Sequence, residues 1–247
     1  MLNRTYAEYA TEKAVSLLAI DSPTGYTKNV TDYLLDTLKN MGFEPVRNRK
    51  GSVCCTLGGE GRPLALAAHV DTLGLMVRTI KGNGNLMFTR LGGPAYQAVE
   101  TENVTVITRE GKRYTGTILS RSPSVHVYSD ARSRARDADN MYVRLDENVK
   151  SAADTRALGI ENGDYICFDP KTVVTESGYL KSRFIDDKAS VACILTAFKI
   201  MKDAGIVPEK DIKFLISMYE EVGHGGSGSV PAGVTEAISV DMGCVGD

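Results

Sequence analysis

The segment Leu64-Ala-Leu-Ala-Ala-His-Val-Asp71 is a short apolar run that ends in a histidine and an aspartate. An apolar run of this length between turn residues is typical of a buried central strand. His69 and Asp71 stand two residues apart, so in extended backbone their side chains project to the same side. Because ligands of an open α/β sheet bind beyond the carboxyl ends of its strands, the segment predicts both the fold class and the place of a site.

The flanking sequence supplies the other elements that an α/β layer needs. Apolar residues at helical spacing predict amphipathic helices before the strand and again after Gly178. Read by the same periodicities, these elements are, in chain order, helices over 9–18 and 30–41, a strand over 52–57, a helix over 190–201, and strands over 212–218 and 237–240.

Between these two parts the sequence changes character and shows little sustained helical periodicity. Six short strand-like runs, several separated by glycine turns, cover 75–80, 86–90, 103–108, 114–119, 141–145 and 165–169. This spacing favours a small β-barrel or sandwich. We therefore predict an α/β fold, with a central mixed sheet flanked by helices, interrupted by an inserted β-barrel-like domain. The α/β domain comprises 1–71 and 179–247, and the insertion comprises 72–178.

Composition narrows the class of function. The 247 residues are 43% hydrophobic and 24% charged, with 29 basic and 31 acidic residues and a net charge of −2. Such a balance argues against nucleic-acid partners and against an anionic membrane surface. An odd number of cysteines, five, without C-x-x-C spacing fits reduced thiols and a cytoplasmic protein.

Two further segments contain acidic side chains that the predicted local structure does not fully explain. Asp186-Asp187-Lys188 opens a predicted helix. One aspartate there is an ordinary cap, but two adjacent carboxylates repel each other and benefit from a cation, with Lys188 as part of that compensation. Glu220-Glu221 directly follows a predicted buried strand. On an extended segment one glutamate would face a metal and its neighbour a bound water.

Each segment has a simpler explanation when taken alone. His69 can be a buried histidine hydrogen-bonded to a carboxylate, and Glu220-Glu221 can be an exposed acidic loop. Taken together, five side chains at strand or helix ends form a pattern suited to Zn²⁺, Co²⁺ or Mn²⁺. These five are His69, Asp71, Asp186, Glu221 and Asp241.

The remaining histidines leave alternatives open. His126 has no acidic neighbour in sequence, and we interpret it as structural or interfacial. His224 is either a substrate contact or a polar turn residue. No G-x-S-x-G motif is present, so a serine hydrolase has little support.

The order of these motifs resembles the dinuclear-metal aminopeptidases of the tetrahedral, glutamyl aminopeptidase type, some of which are described as cellulases. The resemblance runs across essentially the whole chain. It rests on Ser22-Pro-Thr-Gly25, Ala68-His-Val-Asp-Thr-Leu-Gly74, Leu91-Gly-Gly93, Ser182-Arg-Phe-Ile-Asp-Asp-Lys188, Glu220-Glu-Val-Gly223 and Val240-Asp241.

The resemblance implies a role for each matching residue. His69 and Asp241 would bind one metal, Asp186 would bridge two metals, and Glu221 would bind the second. Asp71 would orient His69 and act with Glu220, the general base, as the catalytic pair. It further implies two divalent metal ions, Zn or Co, short peptide substrates, and a homo-oligomer formed through the inserted β domain.

The chain departs from the pattern of this family in one respect. Relatives of this type usually continue beyond the position that matches Asp247, and that continuation carries the remaining histidine ligand. Three functions therefore stay open: a cytoplasmic metallo-aminopeptidase, a catalytically incompetent assembly or metal-binding module, and a glycosidase using two acids such as Asp71 and Glu220.

Overall fold

The computed structural model describes residues 4–244 and divides the chain into two compact units. One unit comprises the chain up to Thr72 and from Pro170 onwards, and the other comprises Leu73–Asp169. The predicted fold class is confirmed, since one unit contains a mixed sheet with helices and the other a closed barrel. Among the described residues, none of the helices has the length and apolar character needed to cross a membrane.

The first part of the α/β unit consists of two helices followed by three strands, of which the two-residue strand β1 was not predicted. Its elements are α1 (Arg4–Leu18), α2 (Lys28–Asn40), β1 (Val46–Arg47), β2 (Val53–Gly58) and β3 (Leu64–His69). Helix α2 stops before Gly42, whose φ of +81° suits glycine, and the amides of Gly42 and Phe43 bond back to Lys39 and Leu38.

The six strand-like runs of the insertion form six strands. They are β4 (Gly74–Ile80), β5 (Leu86–Leu91), β6 (Asn103–Ile107), β7 (Arg113–Ser120), β8 (Met141–Leu145) and β9 (Tyr165–Phe168). They close an antiparallel barrel in the order β4-β5-β8-β7-β6-β9. Alternate residues such as Phe88, Val143 and Ile166 are fully buried and fill it.

The insertion also contains a short α-helix that hydrophobic periodicity did not predict. This helix, α3 (Ala152–Ala157), begins with a capping box. The Ser151 side chain accepts from the Asp154 amide, and the Asp154 carboxylate accepts from the Ser151 amide. At six residues α3 is too short for an apolar stripe, so its signal in the sequence is the cap itself.

The chain returns to the α/β unit with a hairpin and three longer elements. They are β10 (Val173–Val174), β11 (Leu180–Lys181), α4 (Ile185–Asp203), β12 (Ile212–Ser217) and β13 (Glu236–Ser239). A 3-10 helix, Glu220–Val222, follows β12.

The sheet order places the ends of three strands side by side. The strands lie in the order β1-β2-β12-β3-β13, and both β12 and β13 run parallel to β3. In this register His69 pairs with Ser217, and Ala67 pairs with Ser239. The carboxyl ends of β3, β12 and β13 therefore meet at one edge of the sheet, where a site is expected.

The core of this unit lies between one face of the sheet and the helices. Side chains from α1, α2 and α4 pack there on Phe214 and Ile216 of β12 and on Met218 directly after it. Phe198 of α4 touches Phe214 with ring centroids 5.5 Å apart. This packing fixes the strands whose ends carry the polar residues described next.

Candidate metal centre

His69 ends β3 and lies at the centre of a group of acidic side chains. It is 2% exposed. Its Nδ1 lies 3.5 Å from Oδ1 of Asp71, and its Nε2 lies 3.2 Å from Oδ1 of Asp186 and 3.6 Å from Oε2 of Glu220. The tertiary fold thus brings together residues that are more than a hundred positions apart in sequence.

Asp71 is fully buried and serves as a hydrogen-bond acceptor for three donors. Thr24 donates its hydroxyl to Oδ2 at 2.7 Å, and the backbone amides of Glu220 and Glu221 donate at 3.1 and 3.3 Å. Burial raises the pKa of Asp71, but the adjacent imidazole of His69 and the hydroxyl of Thr24 outweigh it, so the pKa lies below its ordinary value. Asp71 therefore stays charged and holds the start of the glutamate segment against β3.

The glutamate pair has a different backbone from the one we predicted. The extended segment was wrong, because Glu220–Val222 form a 3-10 helix. Tyr219, just before it, has a left-handed φ of +70°. Such a conformation costs a non-glycine residue on the order of 1 kcal/mol. The turn directs the backbone amides of Glu220 and Glu221 towards the Asp71 carboxylate, whereas an extended strand would direct them elsewhere.

The aspartate pair also sits in irregular backbone. Phe184 has a left-handed φ of +67°, and the φ and ψ angles of Asp186 (−73°, 105°) and Asp187 (−123°, 20°) are not helical. Asp187 is fully buried, and its Oδ2 accepts the His69 amide at 3.0 Å. Lys188 is buried too and donates to the carbonyls of Leu17 and Ile20.

One group of side chains has the composition and spacing of a metal site. Ligand atoms of His69, Asp187 and Asp241 all lie within 4.8 Å of one another. Burial raises the pKa of Asp187 to about 6, and the charge of Asp241 adds to this. The carboxylates crowd each other, which a cation would relieve.

The charges around this group support the same interpretation. Burial raises the pKa of Glu221 to about 7, and the carboxylates of Asp186, Asp71 and Glu220 contribute. Burial lowers the pKa of His69, yet the hydrogen bond and charge of Asp71 and the charges of Asp187 and Glu220 raise it to about 10. The imidazole and the carboxylates thus shift each other's pKa values, as expected where several carboxylates surround one histidine.

A buried oxygen without a hydrogen-bond donor indicates whether these residues fit a cation. Oδ1 of Asp187 is buried, and no described residue donates a hydrogen bond to it. A buried acceptor without a hydrogen bond lowers the stability of the fold by about 1–3 kcal/mol unless a donor or a cation satisfies it. Imidazole and carboxylate oxygens together are ligands that Zn²⁺, Co²⁺ and Mn²⁺ accept. The donor set therefore fits a divalent cation.

A pocket of about 580 Å³ opens beside the group. His69, Glu220 and Asp241 line it, and the glycine-rich segment 223–227 forms another wall. A Cβ on Gly225 would lie 3.0 Å from Cα of Glu220, so glycine lets this wall approach the glutamate.

Lys50 holds the glycine-rich wall in place. Its ammonium group donates to the carbonyls of His224, Gly225 (3.5 Å) and Ser227 (3.0 Å). It also lies 5.6 Å from the ring centroid of Tyr219, on which the His224 ring stacks. No local pattern in the sequence links Lys50 to this segment.

We expect Lys50→Met to loosen this wall. Loss of charge-assisted hydrogen bonds costs about 1.5–3 kcal/mol. Amide hydrogen exchange in 224–229 should become at least about tenfold faster, because 1.4 kcal/mol corresponds to a factor of ten. Mass spectrometry of the peptides covering the segment measures this, with Lys39→Met at an exposed helix position as the control. Equal exchange in both variants would show that Lys50 does not hold the wall.

The predicted site residues are thus distributed as follows. His69, Asp71, Asp186, Glu220 and Glu221 lie in one neighbourhood through the contacts and charges described, and Asp241 joins His69 and Asp187. Sequence reasoning did not select Asp187 as a ligand or Thr24 as the partner of Asp71. His224 lines the pocket, and His126 is exposed on the barrel unit.

Comparison with known proteins places the chain among peptidases. The model of the M42 glutamyl aminopeptidase family matches residues 51–247. YhfE of Bacillus subtilis (strain 168), whose own assignment as an aminopeptidase is provisional, is 46% identical to this chain over 233 residues. The match covers 94% of this chain and 67% of that protein. The chain spans 63% and 61% of the length of the next two curated relatives.

Solved structures show the same fold. A TET aminopeptidase from a marine sediment archaeon of the Thaumarchaeota has a TM-score of 0.87 and 25% identity, covering 98% of this chain and 67% of that one. The TET1 peptidase of Pyrococcus horikoshii has a TM-score of 0.78 and 21% identity, covering 94% of this chain and 68% of that one. That peptidase can assemble into a tetrahedron or a large octahedral shell.

Proposed function

Since the chain belongs to the M42 glutamyl aminopeptidase family, we propose that it is a metal-dependent aminopeptidase that removes the N-terminal residue from short peptides. One observation carries the proposal. Glu220 lines the same pocket as His69 and Asp241, and its carboxylate lies 3.6 Å from Nε2 of His69. A carboxylate base beside a group of imidazole and carboxylate ligands is the arrangement that metal-assisted hydrolysis needs.

We assign two divalent cations, Zn or Co, to His69, Asp186, Glu221 and Asp241. Asp187 is a further candidate ligand, because its free oxygen belongs to the group with His69 and Asp241. When bound, the metals supply Lewis acidity, polarising the scissile carbonyl and stabilising negative charge on its oxygen.

The chain's own residues supply the proton transfers and the positioning. The Glu220 side chain is about half exposed to the pocket, so it can accept a proton from the attacking water and pass it to the leaving amine. Asp71 holds Glu220 in place through the Glu220 amide. The wall at 223–227 bounds the space that is left for the peptide.

The burial of Asp71 argues against the glycosidase alternative. A glycosidase that used Asp71 and Glu220 would need both carboxyl groups to face the sugar. Asp71 is fully buried, and its oxygens already accept from Thr24, Glu220 and Glu221. Its surroundings suit a positioning residue better than a group that contacts substrate.

Hydrolysis of aminoacyl fluorogenic amides tests the proposal directly. The protein is stripped with a chelator, assayed, and then assayed again with Zn²⁺ or Co²⁺ restored. We expect turnover only after a metal is restored, because the oxyanion otherwise has no cation to stabilise it. A panel of aminoacyl groups also reports the preferred side chain. Activity that survives full removal of the metal would contradict the proposal.

Complete inactivity with every metal would favour the assembly or metal-binding module instead. We propose in addition a cytoplasmic protein that self-associates through the barrel unit, Leu73–Asp169. The shells formed by the TET1 peptidase of Pyrococcus horikoshii support this expectation. A mass in solution equal to one chain, measured by light scattering, would contradict self-association.

A further inference from the structure

A second polar pocket lies on the barrel unit. Its volume is about 210 Å³, and it is lined by the β4–β5 turn, the start of β5, the loop after β7, and β8. The turn runs from Lys81 to Asn85 and is closed by the bond from the Lys81 amide to the Asn85 carbonyl at 2.9 Å. The backbone of Arg121 is held similarly, since its amide donates to the Asn140 carbonyl at 2.8 Å.

Two cations line this pocket without a carboxylate partner. No acidic residue lines it, and among residues 4–244 no carboxylate lies within ion-pair distance of Lys81 or Arg121. Nη1 of Arg121 donates to the backbone carbonyl of Asp139 at 3.4 Å, which leaves the charge of the guanidinium without a carboxylate. Five of the other cations in this unit, by contrast, pair with a carboxylate. These pairs are Arg78–Asp139, Lys112–Glu110, Arg134–Asp130, Arg136–Glu100 and Arg156–Glu161.

Apart from Met87, the other lining residues carry polar side chains. Tyr128 and Tyr142 line the pocket, and Asn83 lies at the turn. Oδ1 of Asn83 accepts the Asn85 amide at 3.2 Å, which leaves the NH₂ group of Asn83 as a donor. Guanidinium, ammonium, phenol and amide donors around a small space form a set suited to an oxyanion.

We propose that this pocket binds a phosphate or phosphoryl group. A phosphate carries a charge close to −2 and several strong acceptor oxygens, which match two cations and three neutral donors. A carboxylate, with a single charge and two oxygens, would leave part of this set unused. The volume is below the roughly 300–1,000 Å³ of sites for drug-sized ligands, so the bound group is small.

Titration of the full chain with inorganic phosphate at constant ionic strength tests this site. Isothermal calorimetry gives the affinity, and phosphorus NMR line widths report the same binding independently. Acetate tests a carboxylate, and glycerol phosphate separates a phosphoryl ester from free phosphate. Arg121→Gln and Lys81→Gln alter the pocket from two different elements. Arg132→Gln, at an exposed position of the same β7–β8 loop but outside the pocket lining, is the matched control.

We expect phosphate to bind and acetate to bind far more weakly. Each pocket variant should lower the affinity for phosphate at least about tenfold, the effect of one lost charge-assisted interaction. Arg132→Gln should bind as the unmodified chain does. Tighter binding of glycerol phosphate would identify an esterified ligand, and equal or weaker binding would identify free phosphate. Undetectable binding at millimolar phosphate, or equal affinity in all variants, would overturn the proposal.

Discussion

Glu220→Gln should lower the hydrolysis of aminoacyl amides by about 10²- to 10⁴-fold, the usual contribution of general acid–base catalysis. The amide side chain is nearly the same size but cannot accept the proton from water. The 3-10 turn should persist, because Asp71 holds it through the backbone amides of Glu220 and Glu221. Metal content should therefore stay close to that of the unmodified chain.

Two neighbouring variants make this result specific. Glu60→Gln makes the same chemical change in an exposed turn and should leave activity unchanged. Glu221→Gln, one residue along, should reduce metal content as well as activity, since Glu221 is assigned as a ligand. Turnover and metal content by mass spectrometry, measured on the same preparations, separate the two roles. Near-normal turnover in Glu220→Gln would remove Glu220 from the mechanism.

Asp71→Asn should weaken metal binding and activity by about 10- to 100-fold, as expected when a partner of a metal ligand is changed. The unmodified carboxylate accepts three hydrogen bonds and lies 3.5 Å from Nδ1 of His69. Asparagine would turn an NH₂ group towards donors from either Thr24 or the glutamate turn. We also expect a loss of about 1–3 kcal/mol in the free energy of unfolding.

Thr24→Val provides the matched comparison for Asp71→Asn. It removes one donor to Oδ2 but keeps the charge of Asp71 and both backbone hydrogen bonds. Its effect on metal affinity, measured by titration with a competing chelator, should be clearly smaller. Chemical denaturation of both variants separates a loss of stability from a loss of metal binding. Unchanged metal affinity in Asp71→Asn would contradict the positioning role.

Local periodicity was sufficient to predict most of the secondary structure. The apolar run at 64–68 became β3, the run at 212–218 became β12, and the six alternating runs became the barrel. These elements each bury a regular face, so their signal repeats over several residues. Helix α3 has no such face and depends on its cap, which is why periodicity did not predict it.

The candidate site was predictable in its residue types but not in its detailed contacts. Polar side chains directly after apolar strands indicated His69, Asp71 and Asp241, because strand ends meet at one edge of a sheet. The 3-10 turn at Glu220 was not predicted, since it is stabilised by Asp71, which lies 149 positions away in the sequence. The involvement of Asp187 likewise depends on its contact with the His69 amide.

The sequence by itself determined the order of elements, the insertion of a β unit and the acidic and imidazole groups available for a metal. Those properties follow from neighbours in the chain, where spacing and residue type act directly. Only the tertiary structure decided that Thr24 would hold Asp71, that Lys50 would hold the glycine-rich wall, and that an oxygen of Asp187 would lack a partner. These features arise where burial forces distant polar groups together, and each group must then find a partner that the local sequence does not specify.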